Sequence, residues 1–324
     1  MKKKRNGILG DTHYFYYFCK KINDNDMVLI ADSGSTKTDW TLLHSVHPQL
    51  GSEVIATFHT QGITPIHQTA ADIRRILEQE LLSQISIFPR AKLINSGILE
   101  GSFLQKLDVH FYGSGCTPVH VPMMKQLLTE VLSPKSVEVH SDLMAAARAL
   151  CQHEAGIACI LGTGGNSCLY DGEQIVQNTP ALGYILGDEG SGSVLGRMFL
   201  NAIFKRPELA DVRDEYLKAN KLTQADIIQK VYREPMANRW LATTSLFIHE
   251  HLDNPLLRQL VVDNFRLFFQ RNIVPYGRPD LPVHFVGSMA HHYPSELEEA
   301  ARKEGFTIGR IVQSPLEGLI AFHS

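Results

Sequence analysis

Residues 28–43 read VLIADSGSTKTDWTLL, and they constrain the fold more than any other stretch of the chain. A short apolar run closes on Asp32, a turn of small residues follows, and a second run begins near Thr38. This is the pattern of a strand, a tight loop and a returning strand. The turn residues Ser33, Gly34, Ser35, Thr36 and Lys37 let backbone N–H groups and hydroxyls approach an anion, and Lys37 adds positive charge. Asp32 is placed to hold a divalent cation through its oxygens, directly or through water. An ordinary hairpin uses the same residue types. The difference here is a second copy, IACILGTGGNSCLYDGEQIV at 157–176, with its own glycine-rich turn at 162–167 and an Asp171-Gly172 turn beyond. Two such hairpins predict two related lobes facing one another, with a nucleotide held in the cleft between them.

The chain has 324 residues, enough to fill two ordinary domain cores. Hydrophobic residues make up 44% and charged residues 20%, the balance of a soluble globular protein. A net charge of -3 with mixed signs gives no nucleic-acid footprint, apart from the short basic run at 2–5. The cysteines at 19, 116, 151, 159 and 168 form no CxxC pair and no zinc spacing, so they read as reduced cytosolic thiols. No apolar run reaches the length needed to cross a bilayer. Residues 1–26 begin basic and carry a short aromatic cluster at 14–18, with Met27 standing directly before the first strand. They read as an extension outside the fold.

Along the chain, 53–59 is expected as a third strand and 61–68 as a loop with Gly and Pro. The run 69–84 places Ile73, Ile76, Leu77 and Leu81 on one face, the spacing of an amphipathic helix. Short strands are expected at 93–94 and 109–113, and 118–132 is expected to cross to the second lobe. That lobe would open with a strand at 137–140 and an Ala-rich helix at 142–151. Helices dominate 193–270; strands return at 283–286 and 310–312, with helices at 295–304 and 315–322.

Asp142 follows a predicted strand and starts a helix, where it suits either an N-cap or a general base for a substrate hydroxyl; the roles are compatible. LGDEGSGSVLG at 186–196 fails the dinucleotide fingerprint, because Leu195 stands where glycine is required. It reads as a substrate-contact loop whose carboxylates, Asp188 and Glu189, suit sugar hydroxyls. No Walker-type GxxxxGK[ST] occurs, which argues against a P-loop fold. VHFVGSMA at 283–290 is strand, Gly-Ser turn, helix, and glycine there would lie flat against an adenosine. The pairs His249/His251 and His291/His292 lack metal-ligand spacing.

In this order, these motifs resemble the actin-like ATPase and sugar kinase superfamily, and within it the BadF/BadG/BcrA/BcrD-type ATPase family and its N-acetylglucosamine kinase branch. DSGSTKTDW at 32–40 resembles the first phosphate motif, LGTGGNS at 161–167 the second and VGSMA at 286–290 the adenosine motif. LGDEGSG at 186–192 is specific to the group, and SPLEGLIAF at 314–322 matches its closing helix.

The resemblance implies an α/β fold of two RNase H-like lobes of actin and hexokinase type with an ATP cleft between them. Its division is 27–118 plus 309–324 for the N-terminal lobe and 119–308 for the C-terminal lobe. It implies Mg²⁺-ATP as the phosphoryl donor, with Asp32 at the metal. Ser33, Gly34, Ser35, Thr36, Lys37, Gly162, Thr163, Gly164, Gly287 and Ser288 would bind the nucleotide. Asp142 falls at the catalytic base, and Thr64, Asn166, Asp188 and Gly192 fall at the sugar. The γ-phosphoryl would pass to the 6-hydroxyl of N-acetylglucosamine or glucosamine. The expected partner is a small amino sugar, with no nucleic acid and no membrane; a homodimer is allowed and the location is cytoplasmic. Two positions depart from the family pattern. Gly165 stands where serine is common, and Thr64 where asparagine is frequent, which leaves the choice of sugar open. The alternatives are an ATPase activator of a partner dehydratase or reductase, which needs cluster-ligating cysteines, and a sugar sensor without turnover, for which a base is superfluous.

Overall fold

The computed structural model describes residues 27–47, 51–87 and 103–324. The expected extension at 1–26 and the expected strand at 93–94 lie outside the described residues. The opening hairpin forms as its pattern predicts: β1 (Met27–Ser33) and β2 (Lys37–His47) pair antiparallel, and β3 (Gly51–Gln61) continues the meander. β4 (Leu107–Gly113) and β5 (Ser136–Ser141) then add in parallel on the other side of β1, giving the order β3-β2-β1-β4-β5.

The second sheet repeats this plan. β6 (Gly156–Leu161), β7 (Gly165–Tyr170) and β8 (Ile175–Thr179) form an antiparallel meander, and β9 (Val283–Val286) and β10 (Ile308–Val312) add in parallel beside β6. Read from its far edge, the order is β8-β7-β6-β9-β10, the same arrangement as the first sheet. The fold is therefore α/β, with two RNase H-like sheets of actin and hexokinase type.

The described residues divide into two compact units, one running to Asp142 and including Leu319–Ser324, the other Leu143–Gly318. This differs from the expected boundaries at 118/119 and 308/309. The Val121–Leu132 helix does not cross to the second unit. Its Met124, Leu127, Leu128 and Leu132 are buried with Leu29, Val109 and Phe111 in the first core. β5 stays in the first sheet because it pairs with β4 along its whole length, from Asp108↔Ser136 to Gly113↔Ser141. β10 stays in the second because it pairs with β9, and only the end of the Leu316–Phe322 helix returns to the first unit.

The first core holds Leu29, Trp40, Ile73, Leu77, Leu81, Val109 and Phe111, all fully buried. Each such side chain stabilises the fold by roughly 1.5–3 kcal/mol on the transfer scale. The amphipathic run predicted over 69–84 is a helix from Ala70 that passes through a π-helical turn at Leu77–Leu81 and ends at Ile87. Thr69 and Asp72 cap it reciprocally. In the second unit, the 193–270 region is helical as expected. The helices Gly192–Lys205, Ala237–Glu250 and Pro255–Phe268 bury Leu195, Phe199, Leu241, Val261 and Phe265 with β6 and β9.

This topology fixes where chemistry can sit. In the first sheet Asp32 and Ser33 at the end of β1 lie beside Tyr112 and Gly113 of β4, and Gly113 lies beside Ser141 of β5. In the second, Ile160 of β6 lies beside Val286 of β9, and Val286 beside Val312 of β10. The carboxyl ends of adjacent parallel strands are where open α/β sheets bind ligands.

Candidate active site

In the first unit the hairpin register makes Asp32 and Asp39 direct cross-strand partners. Residues directly opposite on an antiparallel pair share a face, so two carboxylates flank the end of β1. Asp39 lies in the quoted motif, but its role was missed; its seven-residue offset across the hairpin was the available signal. Its Oδ2 takes Lys37 Nζ at 2.7 Å, and its Oδ1 lies 2.7 Å from His59 Nδ1. Burial alone would raise the Asp39 carboxyl, but the Lys37 and His59 bonds hold it below the usual range.

At Asp32 the compensation is weaker. Burial first, then the negative charges of Asp39 and Asp142, push its carboxyl from 3.8 up to about 6, with Lys37 opposing. A half-buried carboxylate in surplus negative potential, with oxygen donors around it, suits a hard divalent cation. Among the described residues no group of three or more His, Cys, Asp or Glu side chains could hold a metal by itself. Asp142 begins the Asp142–Cys151 helix straight after β5, where its charge complements the positive helix end.

The predicted phosphate turn is exposed at Gly34, Ser35, Thr36 and Lys37, but not every group in it points outward. The Gly34 N–H donates to the Lys37 carbonyl at 3.0 Å, closing the turn on itself. Ser33 is buried; its hydroxyl lies 2.7 Å from that of Thr38, and accepts from the Ile63 N–H at 3.0 Å. Ser33 thus ties the hairpin to the next loop. Thr64, in that loop, is also buried, and its hydroxyl has no hydrogen-bond partner among the described residues. The Gln68 amide braces the same loop, accepting from the Thr64 N–H at 2.7 Å and donating to the Gly62 carbonyl at 2.9 Å.

In the second unit the turn is Gly162–Thr163–Gly164, shorter than expected because β7 already begins at Gly165. The Gly162 N–H donates to the Gly164 carbonyl at 3.0 Å, again closing the turn. The Gly162 and Thr163 carbonyls accept from the N–H groups of Gly192 and Ser193, which docks the turn on the start of the Gly192–Lys205 helix. Gly192 is therefore buried, facing Ala242 and Met289. Asn166 directs its carbonyl oxygen to the Ser167 N–H and the Asn178 amide, at 2.9 and 3.0 Å.

The 186–192 loop lies over this turn. Asp188 takes a left-handed φ of 54°, uncommon for a residue with a side chain. Its carboxyl accepts a bond from the Gly165 N–H, and burial and the Glu189 charge raise it above the usual range against that bond. The Gly165 departure has a steric reason. A Cβ there would stand 2.9 Å from the Glu189 carbonyl oxygen, so the loop as folded requires glycine. Glu189, expected to suit sugar hydroxyls, is buried and held by Arg271 Nη1 at 2.7 Å and Asn272 Nδ2 at 3.3 Å. Those partners hold its carboxyl low although burial opposes them. Gly287, at φ 119°, packs where a Cβ would meet the Leu161 carbonyl at 2.4 Å, and Ser288 is exposed at the start of the next helix. The Gly287 turn and the Gly162 turn thus stand at the ends of neighbouring strands.

A solved structure from Porphyromonas gingivalis, described as a "putative N-acetylglucosamine kinase", is 44% identical over 92% of this chain and 98% of that one, with a TM-score of 0.78. The chain belongs to the BadF/BadG/BcrA/BcrD-type ATPase family, in its N-acetylglucosamine kinase branch. A second structure, from Chromobacterium violaceum and carrying the same description, shares the family fold at 17% identity over 93% of this chain and all of that one, TM-score 0.66. No protein-family model matches the chain, and no curated protein does. The four described cysteines of this family member, Cys116, Cys151, Cys159 and Cys168, are buried, and burial pushes each thiol up.

Proposed function

We propose that the protein is an ATP-dependent amino-sugar kinase that passes the γ-phosphoryl of Mg²⁺-ATP to the 6-hydroxyl of N-acetylglucosamine or glucosamine. The observation that carries this reading is the 44% identity, over 98% of its length, to a protein described as a putative kinase of that sugar. The Asp32–Asp39–Asp142 grouping supports it, because phosphoryl transfer needs a cation and a proton acceptor and little else from the protein.

In this reading Asp32 holds the magnesium ion, which when bound neutralises phosphate charge. Asp142 accepts the proton of the sugar 6-hydroxyl as its oxygen bonds to the γ-phosphorus and the bond to ADP breaks. Ser35, Thr36, Lys37, Thr163 and Gly164 line the phosphates from the exposed parts of the two turns, and Gly287 and Ser288 lie against the adenosine. Asp188 and Asn166 bind sugar hydroxyls. Thr64 contributes only if its loop shifts to uncover the hydroxyl. Lys37 leaves Asp39 for phosphate when the nucleotide binds. The buried thiols fit a cytoplasmic protein.

The position of transfer is tested by NMR of the purified product. A phosphorus signal coupled to the protons on sugar carbon 6 is expected. Coupling to carbon 1 would overturn the assignment of the 6-hydroxyl.

A further inference from the structure

Asp188 is held in its left-handed conformation by a scaffold that reaches far along the chain. Its N–H donates to the Ala181 carbonyl at 3.0 Å, and its carbonyl accepts from the Ser191 N–H at 3.1 Å. The next two residues are gripped by one side chain. Asn264, fully buried on the Pro255–Phe268 helix, accepts the Gly190 N–H on Oδ1 at 3.0 Å and donates from Nδ2 to the Ser191 carbonyl at 3.1 Å. A carboxamide presents an acceptor and a donor side by side, which matches the two backbone groups. A non-glycine residue at positive φ persists only where its surroundings over-determine it.

We propose that Asn264 is a positioning residue: by clamping Gly190 and Ser191 it aims the Asp188 carboxyl at the second glycine-rich turn. The proposal rests on the kinase reading for its consequence, sugar binding by Asp188, but not for the positioning itself. Glu189, bonded to Arg271 and Asn272, anchors the same loop from its other face. With these two anchors the loop holds its course while the Asp188 carboxyl lies against the turn, its Oδ2 standing 3.1 Å from where a Cβ on Gly164 would be.

The test compares the full-length wild type with Asn264→Ala and Asn264→Asp. The Asp variant keeps the size and the acceptor but loses the amide donor, and it serves if the Ala variant does not fold. The first readout needs no substrate: the Asp188 carboxyl is titrated by NMR. Release of the clamp should lower its titration midpoint toward the ordinary carboxylate value; because unfolding would do the same, the midpoint is read only in a variant whose amide spectrum shows the native fold. The second readout is the KM for the acceptor sugar, expected to rise about tenfold for lost positioning, with nucleotide affinity measured by calorimetry unchanged. An unaltered Asp188 titration in a folded variant would overturn the positioning role. A shifted titration with no sugar-dependent turnover in the wild type would uphold the positioning and sink the kinase reading.

Discussion

Asp32 and Asp142 carry the chemistry of this account, and Asp32 does so at a cost to the metal-free fold. Its folded carboxyl titrates near 6 against 3.8 for the free group, so the folded state binds the extra proton between those values. Stability is then gained as pH falls through about 6 toward 3.8, and the ionised group destabilises the metal-free protein above about 6. Asp32→Asn is expected to stabilise the metal-free protein at pH 7 by at most about 3 kcal/mol, at 1.36 kcal/mol per pKa unit. Denaturant unfolding with chelator present checks this, and a destabilised variant would contradict it. The same substitution should abolish magnesium-dependent nucleotide binding. Asp142→Asn is expected to keep nucleotide affinity while lowering turnover roughly 10²–10⁴ fold, the usual range for a general base. Wild-type turnover in the folded variant would remove Asp142 from that role.

At the scale of elements, the two hairpins were legible because everything that defines them is local. Alternating apolar residues set the strands, and Gly, Ser, Thr and Asp set the turns. Membership of a sheet was not legible. Nothing within 119–141 states that β5 pairs with β4 rather than opening a new sheet, and β10 owes its place to β9, twenty-odd residues upstream. The clamp of Asn264 on Gly190 and Ser191 was equally hidden, since it joins positions 74 and 73 residues apart. The Gly165 departure makes a testable point here. Gly165→Ser should displace the Glu189 carbonyl and cost about 1–3 kcal/mol, the range for overpacking; unchanged unfolding would refute the close approach. In the β9–β10 pair, His284 Nδ1 accepts the Arg310 N–H at 2.9 Å, and burial, with the Arg310 charge, holds the imidazole below 6.5. The unfolded chain therefore binds the proton first, so this contribution is complete above about 6.5 and drains away as pH falls below it. His284→Asn should flatten the pH dependence of melting between 7 and 5 relative to wild type.

At the scale of the whole molecule, the chain builds the same five-stranded plan twice, and each copy turns its glycine-rich loop out at the end of its leading strand. The specific parts differ: the first copy supplies Asp32, Asp39 and Asp142, and the second supplies Asp188 over Gly165. Among the described residues no helix is long and apolar enough to cross a membrane. The central claim is that this doubled fold transfers phosphate to an amino sugar, and ADP release from Mg²⁺-ATP tests it most directly. The assay would run with N-acetylglucosamine, glucosamine, N-acetylmannosamine, glucose and no sugar. The account predicts strong, selective stimulation by N-acetylglucosamine or glucosamine. ADP release that no sugar stimulates would contradict it and point to an ATPase that serves a protein partner.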